Sequence, residues 1–448
     1  MGKKPSMAGS ILRAVLLGAT ALAAASLADA TAFADAASDA AFQEVLKDPG
    51  NLEKNLAYAN ALVKTGDLEG AVAVLERLVL LFPERAELHL TLGKLYQRLN
   101  SDAAAAQAFD SALAAPVTTP QIKAEAEELR TRALKRTATS QLSGSLYAGM
   151  QYQTNATAGP DNHRVWADGF LVGRPHGGGP DDDFSGVLGF SLAHKYDFGR
   201  QDGMALESRL SGFGQFYDEN ARLDTGRIAG QVGLGFAPMP STTSALRLQP
   251  RINFEAVSTN GEWLEGGGGP GIGVTYAVSD TLGLEFGYDA IYRHYGHVGA
   301  LGSTEDYTGF EQNGIVTVTW LARPGTTLVA SLGGRGADTK KDRLDYAGVQ
   351  SSVGVYQTYG SPISALPQDW LVGLSAGYEH RWYDSPDNSI NPNRARQDGI
   401  WQFDLGNTIP LSESWSLTQQ VEYLLDDSNL RNYSYDNLTV ALSARWRF

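Results

Sequence analysis

Cysteine is absent from the 448 residues. That removes disulfides, thiolate metal sites and thiol nucleophiles together, and it suits an oxidising compartment, where unpaired thiols are a liability. After residue 30 no run of eighteen or more apolar residues occurs, which excludes a membrane-spanning helix. Any crossing of a membrane must then be made by a closed barrel, the other way to satisfy every backbone amide in lipid. Positive charge is also scarce: the formal net charge is −14, against a nucleic-acid partner, since phosphate contacts need clustered Lys and Arg. Beyond residue 140, lysine is confined to Lys195, Lys340 and Lys341. Glycine, by contrast, is plentiful at 50 residues, and aromatics make up 10%. The chain is too long for one ordinary domain, and two parts are expected.

The first 34 residues read as an export signal. Lys3, Lys4 and Arg13 precede an apolar run from Ala14 to Leu27, and Ala28-Asp29-Ala30 and Ala32-Phe33-Ala34 each offer a small-residue cleavage site. Cleavage after Ala30 or after Ala34 fits equally well. No cysteine is present to accept a lipid.

From residue 36 to 136 the apolar period is helical, and the segment repeats at a spacing of 34. Ala59 recurs as Gly93, Leu62 as Tyr96, Ala71 as Ala105, Leu75 as Phe109 and Leu78 as Ala112. Small residues recur where paired helices cross, and large ones where successive units stack. The segment resembles tetratricopeptide repeats: Leu92-Gly93, Tyr96, Ala105 and Phe109 stand where that pattern wants them, and Pro83 ends the first copy. The first copy is looser, with Asn55 and Ala59 in the places of the family's Trp and Gly. Asp39 to Lys47 reads as half a repeat and Gln121 to Lys135 as a closing helix, giving a short solenoid that either binds a protein partner or acts as a spacer.

From residue 140 to 448 the period changes to two, broken by Gly, Pro, Asn and Asp clusters. The last strand shows it best: Leu438, Val440, Leu442, Ala444, Trp446 and Phe448 share one face, while Thr439, Ser443, Arg445 and Arg447 take the other. Leu142, Gly144, Leu146, Ala148, Met150 and Tyr152 repeat the stripe in the first strand. A soluble edge strand also alternates, but a lipid-facing strand requires this pattern. Short and long connections alternate, with long ones placed at 154–183, 218–224, 256–269, 296–309, 339–345, 384–396 and 425–436. The count is fourteen strands, and an even number puts both barrel ends on the short-turn side. The fold expected is α+β multidomain: a tetratricopeptide-like solenoid, then an antiparallel transmembrane β-barrel of about fourteen strands.

The face away from lipid carries Glu207, Arg209, Arg247, Arg251, Glu285, Arg293, Glu379, Arg381, Arg445 and Arg447. A soluble sandwich has no place for so many charges in its buried face, whereas a lumen offers water or mutual pairing. Arginine supplies bidentate contacts to carboxylates and stacks on aromatic rings, so these residues either brace the barrel or handle a ligand. Catalysis leaves no trace, and neither a cofactor nor a metal is implied. His294 and His297 lack the Glu and the helix of a zinc motif. Gly266 to Gly269 lack the Lys-Ser/Thr of a phosphate loop and read as a loop tip. Asp384, Asp387, Asn388, Asn391 and Asn393 lack calcium-loop spacing and suit turns.

Export signal, tetratricopeptide arm and a barrel ending in Arg-Trp-Arg-Phe together resemble the surface lipoprotein assembly modifier family. Tyr152-Gln153-Thr154-Asn155 after the first strand, and Asp427-Ser428-Asn429 followed by Tyr433 and Tyr435, carry the local likeness. The resemblance implies an outer-membrane protein whose periplasmic arm receives a protein or lipoprotein client and whose barrel helps it reach the surface. Outer-membrane lipids and the barrel-assembly machinery are then its other partners. Two alternatives share the plan: an exopolysaccharide export porin and a plain diffusion porin. Trp446 and Phe448 resemble the signal that the assembly machinery reads. Phe448→Ser is expected to impair insertion, seen as loss of heat-modifiable migration in outer-membrane fractions.

Overall fold

A computed structural model describes residues 31–200, 202–238, 245–298 and 304–448. The expected export signal lies almost entirely outside the described residues. Two compact units are present, one helical and ending at Gln141, the other beginning at Leu142.

The helical unit has six described helices: α1 (Thr31–Lys47), α2 (Leu52–Thr65), α3 (Leu68–Leu81), α4 (Ala86–Arg98), α5 (Asp102–Ala114) and α6 (Pro120–Thr137). Caps set their limits. The Asn51 side chain accepts the Lys54 amide at 3.1 Å and the Asp67 side chain the Gly70 amide at 2.8 Å, each satisfying an orphan donor of a first turn. Gly66 ends α2 in the left-handed region at φ 85°. Ala71, Leu78, Ala105, Phe109 and Ala112 are wholly buried, Leu75, Ala59 and Leu62 nearly so. A Cβ on Gly93 would overlap the Phe109 ring, so the small residue of α4 is the seat of the large one of α5. Tyr96 packs partly buried against both core clusters and donates to Glu76. Burial, followed by that carboxylate, pushes its hydroxyl up to about 12.

The second unit is a closed antiparallel barrel of fourteen strands with a separate two-stranded hairpin. The wall consists of β1 (Ser140–Gln153), β4 (Asp183–Asp197), β5 (Ala205–Tyr217), β6 (Thr225–Gly235), β7 (Leu246–Thr259), β8 (Glu262–Ala277), β9 (Leu282–Tyr295), β10 (Gly309–Arg323), β11 (Thr326–Thr339), β12 (Tyr346–Tyr359), β13 (Trp370–Pro386), β14 (Ala395–Pro410), β15 (Trp415–Ser428) and β16 (Tyr435–Arg447). The hairpin, β2 (Arg164–Ala167) and β3 (Phe170–Gly173), lies within the first long connection. Closure runs through β1 and β16, in register from Ser145↔Arg447 to Gln153↔Thr439. Phe448 extends the ladder, exchanging both backbone bonds with Gly144 at 3.1 Å.

Apolar side chains on this wall face outward and stay uncovered. Leu142 is 64% exposed, Met150 63%, Ile252 59% and Leu374 59%. Water would not tolerate such a band around a whole protein, whereas hydrocarbon solvates it. Among the described residues no helix is long and apolar enough to cross a membrane; the strands make the crossing.

One expected long connection is wrong. Residues 256–269 are not a loop: β7 and β8 run through them and meet at a two-residue turn, Asn260-Gly261, with φ 50° and 74°. Both central residues at positive φ define the hairpin turn that matches strand twist, and Asn-Gly is its favoured sequence. Gly266 to Gly269 therefore lie inside β8 and are no loop tip. The β2–β3 hairpin turns in the same way at Asp168-Gly169, φ 49° and 81°.

Phe109→Ala should destabilise the helical unit by about 3–5 kcal/mol, the cost of emptying a fully buried aromatic site. Denaturant unfolding of the full chain followed by far-ultraviolet circular dichroism measures it, because the barrel contributes little helical signal.

Candidate lumen charge network

The charged residues expected on the polar face take strand positions that alternate with exposed apolar side chains such as Ile252, Phe254, Leu374, Leu438 and Leu442. Six of them find ion partners, and one geometry recurs among these pairs. Arg251 on β7 and Asp289 on β9 both stand in register with Gly271 of β8, and the guanidinium meets the carboxylate across it at 2.8 Å, with Asn253 adding a bond at 2.7 Å. Next, Glu255 on β7 and Arg293 on β9 both face Gly267 and pair over it at 2.5 Å. Strands two apart are separated by about 10 Å, so such a pair must lie flat over the strand between, which only a residue without Cβ allows. A Cβ on Gly271 would strike the Asp289 carboxylate.

Arg247 reaches Glu207 at 2.5 Å, over Gly235 of β6. On β11 to β13, Arg335 and Arg381 both register with Gly348 and share Glu379, at 3.4 and 2.5 Å. Glu255 also takes Arg227 at 2.8 Å, and Arg293 also takes Glu311 at 2.5 Å. Buried ions need this full set of partners, since each alone costs several kcal/mol.

Near the long-connection end the cations also stack on rings. The Tyr346 ring lies 5.9 Å from the Arg335 guanidinium and 5.4 Å from that of Arg381. Arg396 sits 4.9 Å from the Tyr383 ring and 3.5 Å from Tyr433, a residue of the 429–434 connection, while its Nε holds Asp398 at 2.7 Å. The connections are fastened to one another as well. Arg343 bridges Asp306 at 2.8 Å and Asp387 at 3.0 Å. Burial disfavours the Asp387 charge, yet the Ser389 hydroxyl and amide together with Arg343 hold its carboxyl below the usual range. The β2–β3 tip donates the Asp168 and Gly169 amides to the Ser389 and Ile390 carbonyls, both at 2.9 Å. Asn432 exchanges two bonds with the Trp166 backbone, at 2.8 and 3.0 Å.

The remaining expected lumen residues are not brought into pairs. Glu285, Arg209 and Arg447 have no ion partner among the described residues, and Arg445 has only the Tyr147 ring at 5.6 Å. Arg227, Glu255, Glu311, Arg335, Arg396 and Asp398 were missed on the sequence, although counting in twos along their strands would have found them. His294 packs on Trp263 with ring centres 5.5 Å apart. Asp387 and Asn391 accept the Ser389 and Asn393 amides at 3.0 Å, as turn residues do. Trp446 and Phe448 lie together, ring centres 5.0 Å apart.

Comparison with known proteins finds a tetratricopeptide repeat family at residues 53–95. No curated protein matches. Among solved structures, an outer membrane channel from Pseudomonas putida F1 is similar at 12% identity, with 68% of this chain and 95% of that chain covered and a TM-score of 0.36. A bacterial polysaccharide outer membrane secretin shares 12% identity over 68% of this chain and 98% of its own, with a TM-score of 0.35. An anion-selective porin from Comamonas acidovorans shares 10% over 69% and 99%, with a TM-score of 0.33.

Gly271→Val should cost about 1–3 kcal/mol, the usual penalty of overpacking, by forcing Arg251 and Asp289 apart. In an Asp289→Gly background most of that cost should vanish, and a double-mutant cycle of urea unfolding in detergent reads the coupling.

Proposed function

We propose that this protein is a non-enzymatic outer-membrane translocation factor, whose tetratricopeptide arm lies in the periplasm and engages a protein or lipoprotein client that the barrel helps to the cell surface. The observation that carries the reading is the union in one chain of a closed fourteen-strand barrel with an uncovered apolar exterior and a tetratricopeptide solenoid. A solenoid of this kind offers a surface for another protein, and a diffusion porin has no use for one. Both ends of the barrel wall emerge on the short-connection side, the side that bacterial barrels turn toward the periplasm, which supports a periplasmic arm. The resemblance to the surface lipoprotein assembly modifiers points the same way.

The wall itself is braced. Flat ion pairs over glycine and rings stacked on arginine keep a wide barrel rigid and leave side chains lying along the wall. This suits a conduit or a platform more than a catalyst.

Deleting the gene and comparing surface proteomes should show specific surface proteins lost, with total exopolysaccharide unchanged. Restoring the barrel without residues 36–136 should return the barrel to the membrane but not those proteins to the surface. Unchanged surface proteins together with lost exopolysaccharide would overturn the reading in favour of polymer export.

A further inference from the structure

The paired arginines occupy the wall from β6 round to β14. The remaining arc includes β16, β1, β4 and β5, which are consecutive neighbours in the closed sheet, and here the pattern changes. Arg209 on β5 and Arg445 and Arg447 on β16 face the lumen and are exposed, and among the described residues no carboxylate pairs with any of them. Two strands, β1 and β4, separate β16 from β5: β1 contains no acidic residue, and β4 has acids only at its ends, Asp183 and Asp197, the latter 4.0 Å from Lys195. On β5 itself, Glu207 is held by Arg247 and Gln249, each at 2.5 Å.

Between the cations lies a floor of hydroxyls. Arg447 is in register with Ser145, whose Oγ meets Ser191 Oγ at 2.9 Å, and Ser191 is in register with Ser211 on β5. Arg209 is the next inward-facing position along β5 from Ser211. The row crosses three strand spacings, roughly 14 Å, with a guanidinium at each end and small side chains between. On β6 to β14, Arg227, Arg247, Arg251, Arg293, Arg335, Arg381 and Arg396 each meet a carboxylate of the wall. Here Arg209, Arg445 and Arg447 are left open to an anion from solution.

We propose that this arc is an oxyanion-binding station at the short-connection mouth of the lumen, where Arg209 and Arg447 clasp a carboxylate or phosphate group laid over the Ser145–Ser191 floor, and Arg445, backed by Tyr147, adds a third positive charge. Guanidinium forks match both oxyanions in bidentate fashion, and serine hydroxyls donate to either. The station goes beyond the export reading, since it specifies the charge of what enters the lumen and holds whichever client is carried.

The test uses the full-length protein refolded in detergent and treated with phenylglyoxal, with modification followed residue by residue by mass spectrometry. Arg209, Arg445 and Arg447 should react ahead of the paired Arg251 and Arg293. Saturating inorganic pyrophosphate or citrate should slow their modification about fivefold, as expected of charge-assisted contacts. Protection by pyrophosphate alone assigns a phosphate ligand, and protection by citrate alone a carboxylate. Arg447→Ala should abolish protection at Arg209 while leaving heat-modifiable migration intact. Where that variant fails to assemble, Arg209→Ala gives the reciprocal reading at Arg447. Equal reactivity of paired and unpaired arginines, or no protection by either anion, overturns the proposal. None of these outcomes depends on which client is exported, so the station and the export reading fail separately.

Discussion

Hydrocarbon offers no hydrogen-bond partner, and the second unit is organised by that fact. Each strand must have a neighbour on both sides, so the sheet closes, and closure joins β16 to β1 through the last residues of the chain. Once the sheet is closed, every second side chain is fixed toward lipid and every other one toward the lumen. Apolar residues left uncovered outside and ionic residues crowded inside are two results of the same constraint.

The inner face then has a problem of its own. Charges that face one another on a curved wall need partners, and the nearest opposite charge often stands two strands away. Glycine on the intervening strand solves it at Gly235 and Gly271, where guanidinium and carboxylate atoms lie over bare backbone, and Gly267 and Gly348 stand in register between charged residues of the two flanking strands. Gly267 and Gly271 of β8 are therefore spatial requirements of β7 and β9. Glycine weakens a strand taken alone; here the loss is offset by ion pairs that could not otherwise form.

This arrangement also explains what could be read from the sequence. The period-two stripes, the strand count and the 34-residue repeat are local in the chain, and they were legible. Asn260-Gly261 and Asp168-Gly169 were legible in principle, since each dipeptide is a hairpin signal. The first was hidden by the glycine run that follows it, which reads as a loop when taken by itself, and the second by the length of the connection around it. The pairing of Arg251 with Asp289 or Arg293 with Glu255 was beyond reach, because it depends on the registers of two successive strand pairs. Even so, the residue types were right. Arg447 and Arg209 illustrate the opposite case, where a charge visible in the sequence differs from its fellows only through what the closed sheet fails to place beside it.

The attachment of the β2–β3 tip to the 387–394 connection is made by main-chain amides and carbonyls, Asp168 and Gly169 to Ser389 and Ile390. Bonds of that kind do not consult the side chains. The residues around the tip, including Phe170 at 72% exposure, are free to diversify without loosening the clasp, whereas Gly169 is held to its identity by a φ of 81° and by Pro392 lying 3.2 Å from where a Cβ would stand. A surface built this way can change its appearance over generations and keep its architecture.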